Sequence, residues 1–491
     1  MKGDFSRDTY HAGSHYSRVM MQQGRVQLDS DWNEQTAILL GYMRALTRDV
    51  FGPAAGPAAE CGFQIVTSES RDSLSKEVAA QVDAFLKSEK GDLGDDDMLI
   101  LPGRYYVGGL PVEAGDPIRY RAQSGFPFGE APVDSLRQRN WLAYLDVWEE
   151  YVSADQDPAI RDVALGGIDT CGRARIRWQV RLLLDIKDRS EFDALTATGT
   201  GRLRARANPT EDADELCSIT PDARYRGAEN QLYRVEIQTG GKAEEKGSGA
   251  TFKWSRDNAA ITFPILSSTG NRLSLAHLGR DEASTLIEGD WVELVDDATG
   301  SAGLLAQVSK VERDDLRVEL SLADGAPNLP AYASADAAAG HALLRRWDHA
   351  GDPKKAGGAL PIIEGAEIEL EDGIKVTFET GGNYRAGEYW MIPARVATGD
   401  VEWPGAPDNP QFQLPQGPRH YYAPLAMRSL LATGAPDFAD LRCRIARLPC
   451  VTDKTRPLPD KRADAPVSGK ELTTPDKDAV VAAGAGTTKP K

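Results

Sequence analysis

Few stretches of this chain gather side chains that can do chemistry. RRWDHAGD (345 to 352) sets His349 beside Asp348 and Asp352, the groups a general base and its orienting carboxylates would need. The chain has only six histidines. No serine sits in G-x-S-x-G, no H-E-x-x-H appears, and no cysteine adjoins a histidine in sequence. A polar loop therefore stands ahead of a hydrolase site at His349. Asp29, Asp31 and Glu34 are the next candidates, as paired acids for hydrolysis or as cation ligands. Their position argues for a helix start instead. Asp31-x-x-Glu34 has the spacing of a capping box, and acids there complement the positive end of the helix dipole. Asp95-Asp96-Asp97 lacks the D-x-[DN]-x-[DN]-G pattern of a calcium loop and reads as a solvated acidic turn. Arg256-Asp257-Asn258 in WSRDNAA reads as a hairpin turn. His420-Tyr421-Tyr422 has three readings: stacking on a sugar, packing against a neighbouring subunit or, the commonest for such a lone motif, core packing. No P-loop, dinucleotide fingerprint, C-x-x-C or Cys/His metal spacing is found. No catalytic, cofactor-binding or metal-ligating residue is assigned, and a non-enzymatic protein is expected.

Bulk properties narrow the classes further. The net charge of -17 opposes nucleic acid and anionic membrane surfaces, so neither partner is expected. The densest basic run, GRARIRWQVR, alternates as a half-exposed strand does. The apolar runs MLIL and LLL fall far short of the ~20 residues of a membrane helix, so no membrane insertion is expected. MKGDFSRDTYHAGSH carries no apolar signal region, which implies synthesis and folding in the cytoplasm. Five scattered cysteines do not make a disulfide scaffold, and the six residues between Cys443 and Cys450 do not by themselves bring that pair together.

The elements that must position these residues are mostly strands. With 491 residues, 47 Gly and 29 Pro, a multi-domain, mainly β (α+β) chain is expected, with sandwich or barrel-like domains. Residues 1–52 read as an extended arm and a helix from about Asp31 to Asp49, broken by Gly24 and ended by Gly52-Pro53. On the helix Trp32, Leu39 and Leu46 fall seven apart, with Gln35 and Tyr42 between them, an apolar stripe on one face. GPAAGPAA reads as a linker. A first β-rich domain is expected over 60–187, with a helix near Ser73 to Lys87, a hairpin around Gly108-Gly109 and long strands at 141–152 and 174–186. A second covers 188–332 and a third β-rich region 341–450. Residues 451–491 have no aromatic residue and read as a disordered tail.

The stretch KGDFSRDTY…HYSRVMMQQGRVQLDSDWNEQ resembles the start of a bacterial family catalogued as a domain of unknown function. The likeness continues in ENQLYRVEI, ATFKWSRDN, GDWVELVDD and GEYWMIPARVATGDVEWP and closes with HYYAPLA, spanning most of residues 2 to 425. Members look like components of phage-tail-like particles. The arm, turn and helix are also similar to the N-terminal module of some baseplate or fibre proteins, with Gln23-Gly24-Arg25 and Asn33-Glu34-Gln35 in the matching places. The resemblance implies a structural component of a contractile injection particle (baseplate, fibre or cap) that meets other particle proteins or its own copies as a homo-oligomer. It brings no catalytic residue with it. Trp32, Leu39, Tyr42 and Leu46 would then be the buried anchors, and Arg18 and Arg25 the partners of carboxylates. Two alternatives stay open. The helix can instead pack on its own chain. The β domains can instead bind a cell-surface glycan or peptidoglycan through Trp254, Trp291, Trp390 or Trp403.

Overall fold

The computed structural model describes residues 1–446 apart from 126–135, 188, 208–223, 244–248, 301, 324, 334–339, 355 and 432. The expected tail, Cys217 and Cys450 lie outside the described residues. The chain is mainly β, with sheets built round three principal cores.

The first core lies between two four-stranded sheets. One contains Gly103–Val107 and Leu110–Ala114, joined by the Gly108-Gly109 turn; both glycines have positive φ, as a tight hairpin requires. The other pairs Trp141–Val152 with Arg173–Leu184 over their full length and adds Tyr421–Leu430 on the far edge of Trp141–Val152. Tyr105, Val107, Val112, Ala143, Leu145, Val147, Val180 and Leu425 fill the space between the sheets. Their every-second-residue spacing reflects the alternation of strand side chains. The arginines of the basic run pair with neighbours: Arg175 with Glu150 at 2.9 Å, Arg177 with Asp297 at 3.7 Å and Arg181 with Asp146 at 3.3 Å. The expected linker is not one. Ala54–Pro57 is a strand held between Arg444–Ile445 and Gly103–Val107, because a sheet edge there offers its backbone partners.

The second core lies under a five-stranded sheet centred on Gln231–Thr239, with Thr251–Ser255 and Tyr389–Arg395 on either side. The third is a closed six-stranded barrel made of Thr262–Thr269, Arg272–Leu275, Arg317–Leu322, Leu304–Glu312, Trp291–Val295 and Leu343–Trp347. Phe263, Ile265, Leu273, Leu275, Val292, Leu294, Val308, Val318, Leu320 and Leu344 fill it. Closure leaves no unpaired edge in this unit. Strands after residue 341 join sheets begun much earlier in the chain: Leu343–Trp347 closes the barrel, Tyr389–Arg395 pairs Gln231–Thr239, and Tyr421–Leu430 pairs Trp141–Val152.

Two long helices complete the frame. Helix α1 spans Asp29–Phe51 and ends at Gly52, with φ 78°. Helix α2 spans Lys76–Glu89; Ser75 caps it through Val78, and Val82 and Leu86 are buried beneath it.

Candidate functional site: the arm and helix at the N-terminus

The cap of helix α1 lies three residues before the expected one at Asp31. Leu28 is the cap residue, and the Asp31 carboxylate reaches back to accept its N–H at 3.2 Å, the role of the third helical residue in a capping box. Glu34 is free of capping and instead accepts from Thr9 at 2.5 Å. Asp29 accepts from the Ser6 backbone at 2.9 Å and from its hydroxyl, and its carboxyl sits below the ordinary range: burial works against this, and the Ser6 bonds outweigh it. The acids of LDSDWNEQ are therefore a helix start and a set of tethers for the arm.

The arm runs up one flank of α1 and returns. Ser6 meets Asp29, Thr9 meets Glu34, and Tyr10 packs at Gly41. On the way back the Val19 N–H donates to Gln35 at 2.8 Å. A turn follows at Gln22 to Arg25, with Gly24 at φ 70°, a conformation glycine adopts without strain. Arg18 and Arg25 are exposed and form no ion pair among the described residues.

The arm is extended, yet its first five residues are packed on the body of the chain. They lie on the outer face of the sheet carrying Gln231–Thr239. The Asn258 side-chain amide donates to the carbonyls of Met1 (3.0 Å) and Gly3 (2.8 Å), and Arg234 donates to the Met1 carbonyl at 3.3 Å. Phe5 packs against Leu232, Tyr389 and Met391. Lys2 reaches Glu236 at 2.8 Å inside a buried ionic cluster where Arg234 meets Glu236 at 2.7 Å and Lys253 meets Glu293 at 2.7 Å. Burial alone would raise the Glu236 carboxyl, but the charges of Lys2, Arg234 and Lys253 outweigh it and bring the group down to about 2. Burial pulls Lys2 down to about 8, against the two glutamates. Asn258 was legible only as a turn residue. It does take a left-handed turn conformation (φ 49°), but its side chain reads the backbone of the arm. Only its burial reveals this.

The body of the chain takes up one face of α1 and leaves the predicted stripe bare. Ser30 and Ile38 are buried, and Arg44 meets Glu149 at 2.7 Å. On the opposite face Trp32 is 78% exposed, Leu39 53%, Tyr42 55% and Leu46 65%. Met43 and Val50 are exposed beside them. Among the described residues nothing covers these anchors, so packing on the chain's own body does not account for the stripe.

The other candidates resolve into structure. His349 is buried against the Trp291 ring (centroids 5.6 Å apart), and its Nε2 bonds the Gly358 carbonyl at 3.0 Å. Burial lowers its imidazole to about 4. Asp348 accepts from the Ser255 hydroxyl (3.1 Å) and the Arg256 N–H (2.9 Å). Trp254, Trp291 and Trp390 are buried in cores, which removes them from any exposed binding platform; Trp403 is half-buried and donates to the Gln411 carbonyl. His420 stacks between Trp148 and Tyr422 and bonds Asp146 at 2.7 Å. Asp95 pairs with Arg137 and Asp97 with Arg119, at 2.9 Å each. Among the described residues no group of three or more His, Cys, Asp or Glu is placed to hold a metal, and no helix is long and apolar enough to cross a membrane.

The family of unknown function DUF6519 matches residues 1–197 and again 189–429. The chain belongs to the DUF6519 family. No curated protein and no solved structure matches it. In this DUF6519 chain the first match holds the arm, α1 and the long strands Trp141–Val152 and Arg173–Leu184. The second holds the barrel and the sheet that receives the arm.

Proposed function

We propose that this DUF6519 protein is a non-enzymatic structural component of a phage-tail-like contractile injection particle, at its baseplate, fibre or cap, and that it docks through the exposed face of α1. The observation that carries the reading is the bare stripe of Trp32, Leu39, Tyr42 and Leu46 on a helix whose other face is fixed to the body. A contiguous apolar patch of this kind on a highly charged protein is characteristic of a protein–protein contact. Anchoring of the arm supports it too, because a docking element must be held in place before its partner arrives. Arg18 and Arg25, exposed and unpaired beside the helix, suit carboxylates at the rim. The glycan-binding alternative has less support, since three of its four tryptophans are core residues.

The test uses the full-length chain with Leu39→Glu and Leu46→Glu, since removing residues 1–50 would also strip the buried anchor. Tail-like particles purified from the producing bacterium should carry the wild-type chain and lose the variant at least tenfold. Particles carrying the variant at wild-type stoichiometry, or no association of the wild-type chain, would refute the proposal.

A further inference from the structure

We infer that the occupant of the α1 stripe is the same stripe of a second copy of this chain, packed antiparallel about a two-fold axis. The inference rests on reading α1 as a docking element and names its partner.

The exposed side chains follow a heptad rather than a loose stripe. Trp32, Leu39 and Leu46 occupy every seventh position, and Thr36, Met43 and Val50 fall four residues after each, so the two sets are the d and a positions of a coiled-coil seam. All six are exposed. The positions turned to the body or the arm, among them Ser30, Ile38, Gly41 and Arg44, fall at b, c and f, the back of such a helix. The body therefore leaves the seam open to an approaching helix. With Leu28 and Tyr42 the seam presents on the order of 800 Å2, about what each partner contributes to a standard interface.

Three features favour a second copy over a foreign helix or a membrane. The flanking e and g positions are Asn33, Gln35, Leu40, Tyr42, Thr47 and Asp49, almost without charge. Charges at these positions select a foreign partner, and their absence lets two copies meet without like-charge contact although the chain carries -17. A helix lying on an anionic membrane needs a Lys- and Arg-rich polar face, whereas α1 carries Asp29, Asp31 and Glu34 in its first turns. The seam is also self-complementary in one orientation. Turned antiparallel about Gly41, Trp32 faces Val50, Leu46 faces Thr36 and Leu39 faces Met43, each bulky residue against a smaller or flexible one. Leu40 and Tyr42 then meet their own counterparts beside the axis. A parallel pair would set Trp32 on Trp32 and Thr36 on Thr36. An isologous contact of this kind closes on itself and does not propagate.

Light scattering on the full chain, from about 1 to 100 μM, should report a mass twice that of one chain. Leu39→Glu with Leu46→Glu should weaken the association at least 100-fold. For orientation, single cysteines are introduced at Tyr42 and at Trp32 and treated with a short bismaleimide, with the unsubstituted chain as control. Tyr42→Cys should link two copies. Trp32→Cys should not, because 18 residues of helix, about 27 Å, separate it from its counterpart. A monomer throughout, a trimer, a dimer indifferent to the glutamates, or equal linking by both cysteines would overturn the inference. A monomer whose glutamate variant still fails to enter particles would overturn self-pairing alone and leave the docking proposal standing.

Discussion

A histidine sealed under an indole ring takes up a proton only at a cost. Burial holds His349 at about 4, against an ordinary 6.5. Between those values the folded chain binds fewer protons than the unfolded chain, so stability rises with pH across this window and is lost as pH falls through it. His349→Gln keeps a donor for the Gly358 carbonyl and does not titrate. Urea unfolding at pH 4.5 and 7.5 should show a stability gap narrower in the variant by about 2 kcal/mol; equal gaps would mean that the folded chain protonates His349 freely. Asn258 poses the complementary case. Its amide satisfies two carbonyls of the arm, and Asn258→Asp would set an oxygen against each. The expected loss is about 2 kcal/mol or more, with earlier proteolysis of residues 1–28; unchanged melting and protease resistance would show that the arm is held elsewhere. In sequence, both residues sit in polar clusters that invite a catalytic or turn reading. Burial is the deciding property, and it belongs to no single stretch of chain.

At the scale of elements, α1 was legible as a helix because a 3.6-residue period marks it, and its apolar stripe was legible with it. The direction of that stripe was not. Periodicity predicts an apolar face turned to something, and the usual occupant is the chain's own core. Here Ser30, Ile38 and Arg44 meet the body at close quarters, and Gly108-Gly109 makes this possible. A Cβ on Gly109 would lie 2.6 Å from the Arg44 carbonyl, and one on Gly108 would lie within the Tyr421 ring. The dipeptide reads in sequence as a hairpin turn, which it is. Its second duty, letting α1 lie flat on the sheet, depends on a neighbour over 60 residues away. Gly109→Ala should therefore cost about 1–3 kcal/mol and speed amide exchange within α1 ahead of the hairpin. Exchange unchanged in α1 would mean that the helix is held without this contact.

At the scale of the molecule, the buried ionic cluster ties the arm to both the central sheet and the barrel. Glu236 lies on the sheet strand Gln231–Thr239, Glu293 on the barrel strand Trp291–Val295, and Lys253 lies between them. Both glutamates are held below their ordinary range. Burial opposes this, and the outweighing cause is the nearby cations, Lys2 foremost for Glu236 and Lys253 for Glu293. A depressed carboxyl contributes stability that is fully present above its unfolded value near 4.5 and is lost as pH falls toward about 2 for Glu236. Acid should therefore loosen the junction of arm, sheet and barrel, and tryptophan fluorescence should report it. Lys253→Met removes the nearest cation from Glu293, leaving it Lys2 at 3.9 Å and the N–H donors of Gly303 and the Trp347 indole, and should cost on the order of 3 kcal/mol at pH 7. A melting curve identical to wild type would show that the cluster is not holding the units together.

The sequence by itself determined much of the local structure: the long strands from alternation and β-branched content, the end of α1 from Gly52, and the seven-residue spacing along α1. These depend on neighbours a few residues apart. The tertiary structure alone decided which strands share a sheet, that the first five residues pack on the outer face of the Gln231–Thr239 sheet, that Trp254, Trp291 and Trp390 are core residues, and that Trp32 faces outward. Each of these depends on a surface assembled from residues hundreds of positions apart. Burial and exposure are properties of that assembled surface and not of the residue type.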